Sequence, residues 1–134
     1  MSDEQRNAAV VQELMRRWNA GDYDSIFDLY RDDIVMTAGP EWPEQGPWEG
    51  KEQVAENQRE WLEAWDRVEL EVEEVAAHQD KVVAIGTWHS RGRASGVGGE
   101  LPANIVLSLE DGLVTRFSWF GNPDEARRAA GLSA

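Results

Sequence analysis

The order of helical and strand patterns along the 134-residue chain predicts an α+β fold. Apolar residues recur at helical steps in the first third of the chain and again over residues 51–65. Residues 68–73 alternate strictly between apolar and acidic types, as in a half-buried strand, and three more strand patterns follow. Because a run of strands follows the helices, we expect segregated helices and a mainly antiparallel sheet rather than a doubly wound parallel one.

The N-terminal third predicts two helices. Ser2 and Gln5 have the spacing of a capping box, and Gly21 offers a stop for the first helix. Five large apolar side chains lie between them at helical steps, at Val10, Val11, Leu14, Met15 and Trp18. Asp22 or Asp24 can cap a short second helix.

A short strand is predicted at residues 34–37, and residues 38–50 are predicted as a loop. This loop contains three prolines and three glycines, so a long regular element is excluded. It also contains Trp42 and Trp48, which either close over a pocket as a lid or anchor the loop to the pocket rim.

The second half of the chain predicts one helix followed by the sheet. Residues 51–65 place Asn57 or Gln58 on the apolar side of a helix and several glutamates on the other. The predicted strands cover residues 68–73, 81–91, 101–109 and 113–120. A glycine-rich turn and the hairpin signal Asp111-Gly112 separate the last three strands, and Asn122 can start a final helical turn.

The charge distribution excludes two classes of partner. The chain has 26 acidic and 13 basic residues, and 13 of the acids but only three bases lie between residues 41 and 80. No five-residue window holds a cluster of Lys and Arg, so we expect no nucleic-acid partner and no anionic membrane partner. The acidic middle third is either a solvated surface or a patch for a basic partner.

Residue types also exclude several kinds of site. The chain has no cysteine and two histidines, so disulfides, a thiol nucleophile and Cys-ligated metals are excluded, and we expect no metal or other cofactor. The N-terminus lacks the apolar run of a signal peptide, and no stretch approaches the roughly 20 apolar residues of a membrane span. We therefore predict a cytoplasmic protein that folds as a single domain over residues 1–134.

Several segments carry a family resemblance through their order and spacing. They are Val10-Val11-Gln12, residues 18–26, Leu29-Tyr30-x-Asp32-Asp33, residues 47–52, Asp111-Gly112 and residues 124–132. Together they resemble the SnoaL-like and ketosteroid-isomerase-like branch of the nuclear transport factor 2-like superfamily. The resemblance implies a cone-shaped barrel of a strongly bent, mainly antiparallel sheet wrapped around N-terminal helices. It also implies a deep pocket and a homodimer formed through the sheet face.

The resemblance implies where the steroid isomerases of the superfamily carry their catalytic groups. The tyrosine position falls on Leu14, the base position on Ala38 and the late-strand acid position on about Ile105. None of these side chains transfers a proton or donates a hydrogen bond to an oxyanion. We therefore expect no steroid isomerase chemistry by the usual route.

Two further activities of the superfamily also lack their groups. The water-activating positions of the epoxide hydrolases fall near Gly86, Trp88 and Ser118. A cyclase of the SnoaL type needs an aspartate that faces the pocket, whereas the acids of the late strands lie at strand ends or turns. The superfamily hosts many functions on one fold, so the pocket residues have to indicate the function.

The family resemblance implies which side chains of the helices and strands face inward. These side chains predict an apolar, aromatic pocket that binds a small hydrophobic molecule. The predicted ligand-binding residues are Trp18, Met36, Asn57, Trp61, Trp88, Ser90, Ser118 and Phe120.

Two alternatives stay open. In the first, the protein is an isomerase, cyclase or hydrolase with His89 as general base; a register shift of one residue would turn His89, Arg91 and Asn104 into the pocket. Without that shift, His89 faces outward, where the second subunit is expected. In the second, tryptophans fill the cone and the protein is a non-catalytic interaction or subunit module.

Overall fold

The computed structural model describes residues 2–39, 46–63, 65–92 and 98–132, with the backbone alone at positions 61, 62, 65–67, 91, 92 and 98. Trp42 and the side chains of Trp61 and Arg91 lie outside these described residues. The predictions made for those three side chains therefore stay predictions.

The described helices are α1 (Asp3–Asn19), α2 (Tyr23–Ile26), α3 (Lys51–Glu63) and α4 (Pro123–Ala129), with a short 3-10 helix at Phe27–Leu29 after α2. α1 begins with the predicted capping box. The Gln5 backbone N–H donates to Ser2 Oγ at 3.1 Å, and the Ser2 backbone N–H donates to Gln5 Oε1 at 2.9 Å. Asn122 caps α4 by accepting from the Glu125 N–H. None of the described helices is long and apolar enough to cross a membrane.

The described strands are β1 (Tyr30–Thr37), β2 (Trp48–Glu49), β3 (Trp65–His78), β4 (Lys81–Gly92), β5 (Gly98–Glu110) and β6 (Leu113–Trp119). They form one sheet in the order β2-β1-β6-β5-β4-β3. β1 and β6 run parallel, and every other neighbouring pair is antiparallel. The predicted α+β class with a curved, mainly antiparallel sheet is confirmed. The sheet is open rather than a closed barrel, since β2 and β3 are its edge strands among the described residues.

Two apolar clusters lie on opposite faces of the sheet. On β4, Val82 and Ala84 belong to the larger cluster and Val83 and Ile85 to the smaller, as alternation along a strand requires. The larger cluster is built with side chains of α1 and α3, and α4 covers the smaller one through Ala126 and the residues around it. We call the two sides the inner face and the outer face.

A register shift in β6 determines which of its side chains face inward. Ser108 of β5 lies opposite Arg116, but the next residue, Leu109, lies opposite Val114, so Thr115 is the extra residue of a bulge. A bulge reverses the alternation of side chains beyond it. Strict alternation from Val114 therefore gives the wrong face for every residue of β6 after Thr115.

Candidate ligand-binding cavity

A cavity of about 310 Å³ lies between α1, α3 and the inner face of the sheet. This volume is at the lower end of the roughly 300–1,000 Å³ typical of small-molecule sites. The described tryptophans Trp18, Trp48, Trp88 and Trp119 line the space and do not fill it. The described side chains thus leave room for a small organic molecule.

Aliphatic side chains form much of the wall. They are Leu14, Met15, Met36, Ala38, Leu70 and Ile105. Three of them, Leu14, Ala38 and Ile105, occupy the positions that the resemblance assigns to the steroid isomerase catalytic groups. At these positions the cavity therefore offers only apolar contact.

Aromatic rings form a continuous strip along another part of the wall. The ring centroids of Trp18 and Trp88 lie 5.5 Å apart, and those of Trp88 and Trp119 lie 5.3 Å apart. Phe117 extends the strip, with its centroid 5.5 Å from that of Trp119. Tilted rings at these separations attract one another and present a broad apolar surface.

The polar part of the described wall consists of Tyr30, Asn57 and Gln58. Tyr30 comes from the first residue of β1 and is 2% exposed, and Gln58 comes from α3 and is 7% exposed. The Tyr30 hydroxyl oxygen lies 3.3 Å from Gln58 Oε1 and 3.1 Å from Gln58 Nε2. Burial raises the pKa of the Tyr30 hydroxyl well above its ordinary value, and the hydrogen bond with Gln58 opposes this rise only in part. The hydroxyl is therefore neutral in the folded protein.

Charged groups are absent from the described part of the wall. None of the lining residues that the structure describes carries a carboxylate, an imidazole, an ammonium or a guanidinium group. The described ranges also contain no group of three or more His, Asp or Glu side chains arranged to hold a metal ion. The chemistry of the described wall is thus that of a neutral, mostly apolar surface.

Four of the predicted ligand-binding residues, Trp18, Met36, Asn57 and Trp88, line the cavity. Their part in binding a ligand stays a prediction. Ser90 is buried but is not among the described lining residues, and its Oγ donates to the Gly99 carbonyl at 3.5 Å.

The prediction that Ser118 and Phe120 face the cavity is wrong, because the bulge at Thr115 reverses the alternation of side chains beyond it. Ser118 faces away from the cavity, with its Oγ 3.0 Å from Thr37 Oγ1, and Phe120 packs in the smaller cluster under α4. Phe117 and Trp119 line the cavity instead.

His89 lies on the outer face of the sheet, not in the cavity. Its Nε2 is 3.2 Å from Glu71 Oε2, and its Nδ1 is 3.5 Å from Glu100 Oε1. Asn104 is also on the outer side, where its Nδ2 donates to the Phe120 carbonyl at 3.4 Å. The register shift required by the first alternative is therefore not found at these positions, and His89 is not placed to act as a base in the cavity.

Several lining residues are not among the predicted ligand-binding residues. The sequence favours either Asn57 or Gln58 on the inner side of the third helix, and both line the cavity. Trp48, which is predicted to cover the pocket or to anchor the loop at its rim, lies in β2 opposite Met36 and lines the cavity. Tyr30 is predicted to pack inward from the second helical segment, whereas in the structure it is the first residue of β1 and lines the cavity from there.

Solved structures share this fold at low sequence identity. An NTF2-like protein of unknown function from Burkholderia pseudomallei has a TM-score of 0.77 and 19% identity over 97% of this chain and 98% of that chain. A proposed SnoaL-like polyketide cyclase from Jannaschia sp. CCS1 has a TM-score of 0.78 and 21% identity over 100% and 98%. A Mycobacterium tuberculosis protein in complex with estradiol-17beta-hemisuccinate has a TM-score of 0.74 and 22% identity over 89% and 95%. At such identities the likeness shows the fold alone.

The comparison with family models identifies the family as well as the fold. No curated protein matches the sequence. The family model of the SnoaL-like domain matches residues 11–117, which include every described lining residue except Trp119. The chain therefore belongs to the SnoaL-like domain family.

Proposed function

We propose that the protein binds a small, hydrophobic, ring-containing molecule in the cavity. The observation that carries this proposal is the space of about 310 Å³, whose described wall is aliphatic and aromatic apart from the uncharged polar groups of three side chains. Sites of this composition bind apolar ligands because each Å² of apolar surface removed from water contributes about 25 cal/mol.

The aromatic strip favours a ligand with rings. Trp18, Trp88 and Trp119 give a surface on which a flat molecule can stack at little cost in side-chain entropy. The M. tuberculosis neighbour is in complex with a molecule that contains such rings, estradiol-17beta-hemisuccinate. That precedent supports a ring ligand for a cavity of this fold.

Binding is better supported than acid–base catalysis. The described wall holds aliphatic side chains at Leu14, Ala38 and Ile105, and the only titratable group among its described residues is the hydroxyl of Tyr30. With its raised pKa, that hydroxyl is a hydrogen-bond donor near neutral pH and not a base. We therefore assign ligand binding, and not proton transfer, to the described residues.

A titration with the neutral dye N-phenylnaphthylamine, whose fluorescence rises in apolar surroundings, tests the proposal. We expect saturable binding to the wild-type protein. Ala38→Phe places a ring into the cavity and should weaken binding about tenfold or more, because an overfilled site excludes its ligand. The control is Ala9→Phe, which makes the same change at an exposed position of α1 and should alter the affinity less than about twofold.

Two results would contradict the proposal. One is the absence of saturable dye binding to the wild-type protein. The other is an equal loss of affinity in Ala38→Phe and Ala9→Phe, which would place the dye outside the cavity.

We further propose that two copies pair through the part of the outer face that α4 does not cover. Support comes from the family resemblance and from the position of α4, which packs over Val83, Ile85 and Val106. Farther along β4, the side chain of His89 is 39% exposed.

A cytoplasmic location stays a prediction from the cysteine-free sequence, to be checked by cell fractionation.

A further inference from the structure

We propose that the Tyr30–Gln58 pair recognises one uncharged oxygen of the ligand, and that it accepts this oxygen either as a carbonyl or as a hydroxyl. The inference rests on the proposed function, since it specifies which hydrophobic ring molecules the cavity takes. It assigns the pair a role in specificity that goes beyond shaping the wall.

The geometry that carries the inference is a buried pair of polar groups in an apolar cavity. Tyr30 and Gln58 both line the space, and they are 28 residues apart in the chain. The hydroxyl oxygen is within hydrogen-bond distance of both Oε1 and Nε2 of the amide, at 3.3 and 3.1 Å. The two groups satisfy each other with one hydrogen bond, which leaves further donor and acceptor capacity on both.

The phenolic hydrogen can take two positions, and each prepares the hydroxyl for a different ligand group. When Gln58 Nε2 donates to the Tyr30 oxygen, the phenolic hydrogen is available to a ligand carbonyl. When Gln58 Oε1 accepts the phenolic hydrogen, the phenolic oxygen can accept from a ligand hydroxyl. Rotation of the hydroxyl about its C–O bond interconverts the two states, because both amide atoms already lie within hydrogen-bond distance of the phenolic oxygen. The pair therefore matches a ketone and the corresponding alcohol on the same ring skeleton.

The rest of the described wall favours an uncharged ligand group. A carboxylate placed beside Tyr30 would find no cationic side chain among the described lining residues, and burial of an unpaired charge is costly. The raised pKa of Tyr30 supports the same conclusion, because the phenol stays neutral and donates one hydrogen bond. Asn57 is a further uncharged polar group on the described wall.

Ligands with one tricyclic skeleton test the inference by displacement of N-phenylnaphthylamine. Fluorenone carries a carbonyl, fluorenol a hydroxyl, and fluorene neither. We expect fluorenone and fluorenol to bind the wild-type protein at least about threefold more tightly than fluorene, as one net hydrogen bond gives. Fluorene carboxylate should bind more weakly than fluorenone.

Tyr30→Phe removes the hydroxyl and keeps the ring. We expect it to abolish the preference for fluorenone and fluorenol over fluorene and to change the affinity for fluorene less than about twofold. The matched control is Tyr23→Phe. The Tyr23 ring packs against Trp18, with 5.2 Å between the ring centroids, but Tyr23 is not among the described lining residues. This control should keep the preference.

The outcomes separate the two proposals. If the dye binds but the wild-type protein does not prefer fluorenone or fluorenol over fluorene, the inference about Tyr30 and Gln58 is wrong and the proposed function stands. The same holds if Tyr30→Phe weakens all three ligands equally, or if the carboxylate binds as tightly as fluorenone. If neither the dye nor any of the ligands binds, both proposals fail.

An infrared measurement on the wild-type protein keeps the test decisive even if Tyr30→Phe does not fold. The C=O stretch of bound fluorenone should lie at lower wavenumber than in a hydrocarbon solvent, because a donated hydrogen bond weakens the carbonyl. Gln58→Met should keep this shift, since Tyr30 still carries its hydrogen. A stretch at the hydrocarbon position in the wild-type complex would refute the inference.

Discussion

Single side chains determine which chemistry the cavity offers. Leu14, Ala38 and Ile105 line the cavity, and the resemblance implies that steroid isomerases carry their catalytic groups at about these positions. Tyr30 and Gln58 supply a hydrogen-bonding pair in a different part of the fold. The described wall thus has apolar side chains at these three positions and one buried polar pair. This arrangement agrees with the proposed selection of a ligand by one neutral polar contact.

Gly86 shows how a single position constrains the sheet. A Cβ atom at Gly86 would lie 1.9 Å from the Glu71 carbonyl oxygen and 2.9 Å from Val72 Cα, far inside van der Waals contact with backbone atoms. Gly86→Ala should therefore lower the free energy of unfolding by about 2 kcal/mol or more, because the two strands have to separate. Urea denaturation measures the change.

The control for this substitution is Gly99→Ala. Among the atoms that the structure describes, the added Cβ there would meet only Ser90 Oγ within contact range, at an ordinary 3.5 Å. We expect Gly99→Ala to change the free energy of unfolding by less than about 1 kcal/mol. Equal effects of the two substitutions would show that the close approach at Gly86 is absent in solution.

At the scale of elements, the sequence predicts those features that depend on residues close together in the chain. The start of α1 depends on Ser2 and Gln5, three residues apart, and the capping box was predicted correctly. The inward face of β6 depends on the bulge at Thr115, which arises only when β6 pairs with β5. Phe117 and Trp119 could therefore not be assigned to the cavity from the alternation of β6 alone.

An ion pair joins α4 to the sheet and gives an element-scale prediction. Arg127 Nη2 and Nε donate to the Glu74 carboxylate of β3 at 2.8 and 3.1 Å. The hydrogen bonds from Arg127 lower the pKa of Glu74 below its ordinary value of about 4.5, although partial burial opposes this. Because the folded-state pKa is the lower one, the pair stabilises the folded protein fully above the unfolded-state pKa. This stabilisation is lost as the pH falls through the folded-state pKa.

Urea denaturation of the wild type and of Glu74→Gln between pH 7 and pH 3 measures this effect. We expect the wild type to be the more stable protein at pH 7 and the difference to shrink as the pH falls below 4.5. In the Arg127→Ala background, Glu74→Gln should have a much smaller pH-dependent effect. A difference between wild type and Glu74→Gln that grows toward low pH would contradict the prediction.

On the scale of the whole molecule, the sheet separates two faces of different composition. The inner face encloses the apolar cavity, and part of the outer face is covered by α4. The rest of the outer face carries His89 between Glu71 and Glu100. A net charge of −13 opposes the association of two copies, so a dimer contact is favoured where a histidine interrupts the acidic residues.

The proposed dimer follows from this arrangement and is tested by sedimentation velocity over a range of protein concentrations. We expect a dimer whose dissociation constant falls with added salt, since salt screens the repulsion between two acidic copies. His89→Glu places a third carboxylate beside Glu71 and Glu100 on both copies and should weaken association about tenfold or more. Gln12→Glu adds the same charge at an exposed position of α1 and should have an effect of less than about threefold. A monomer at every concentration, or equal weakening by both variants, would show that this part of the outer face is not the contact.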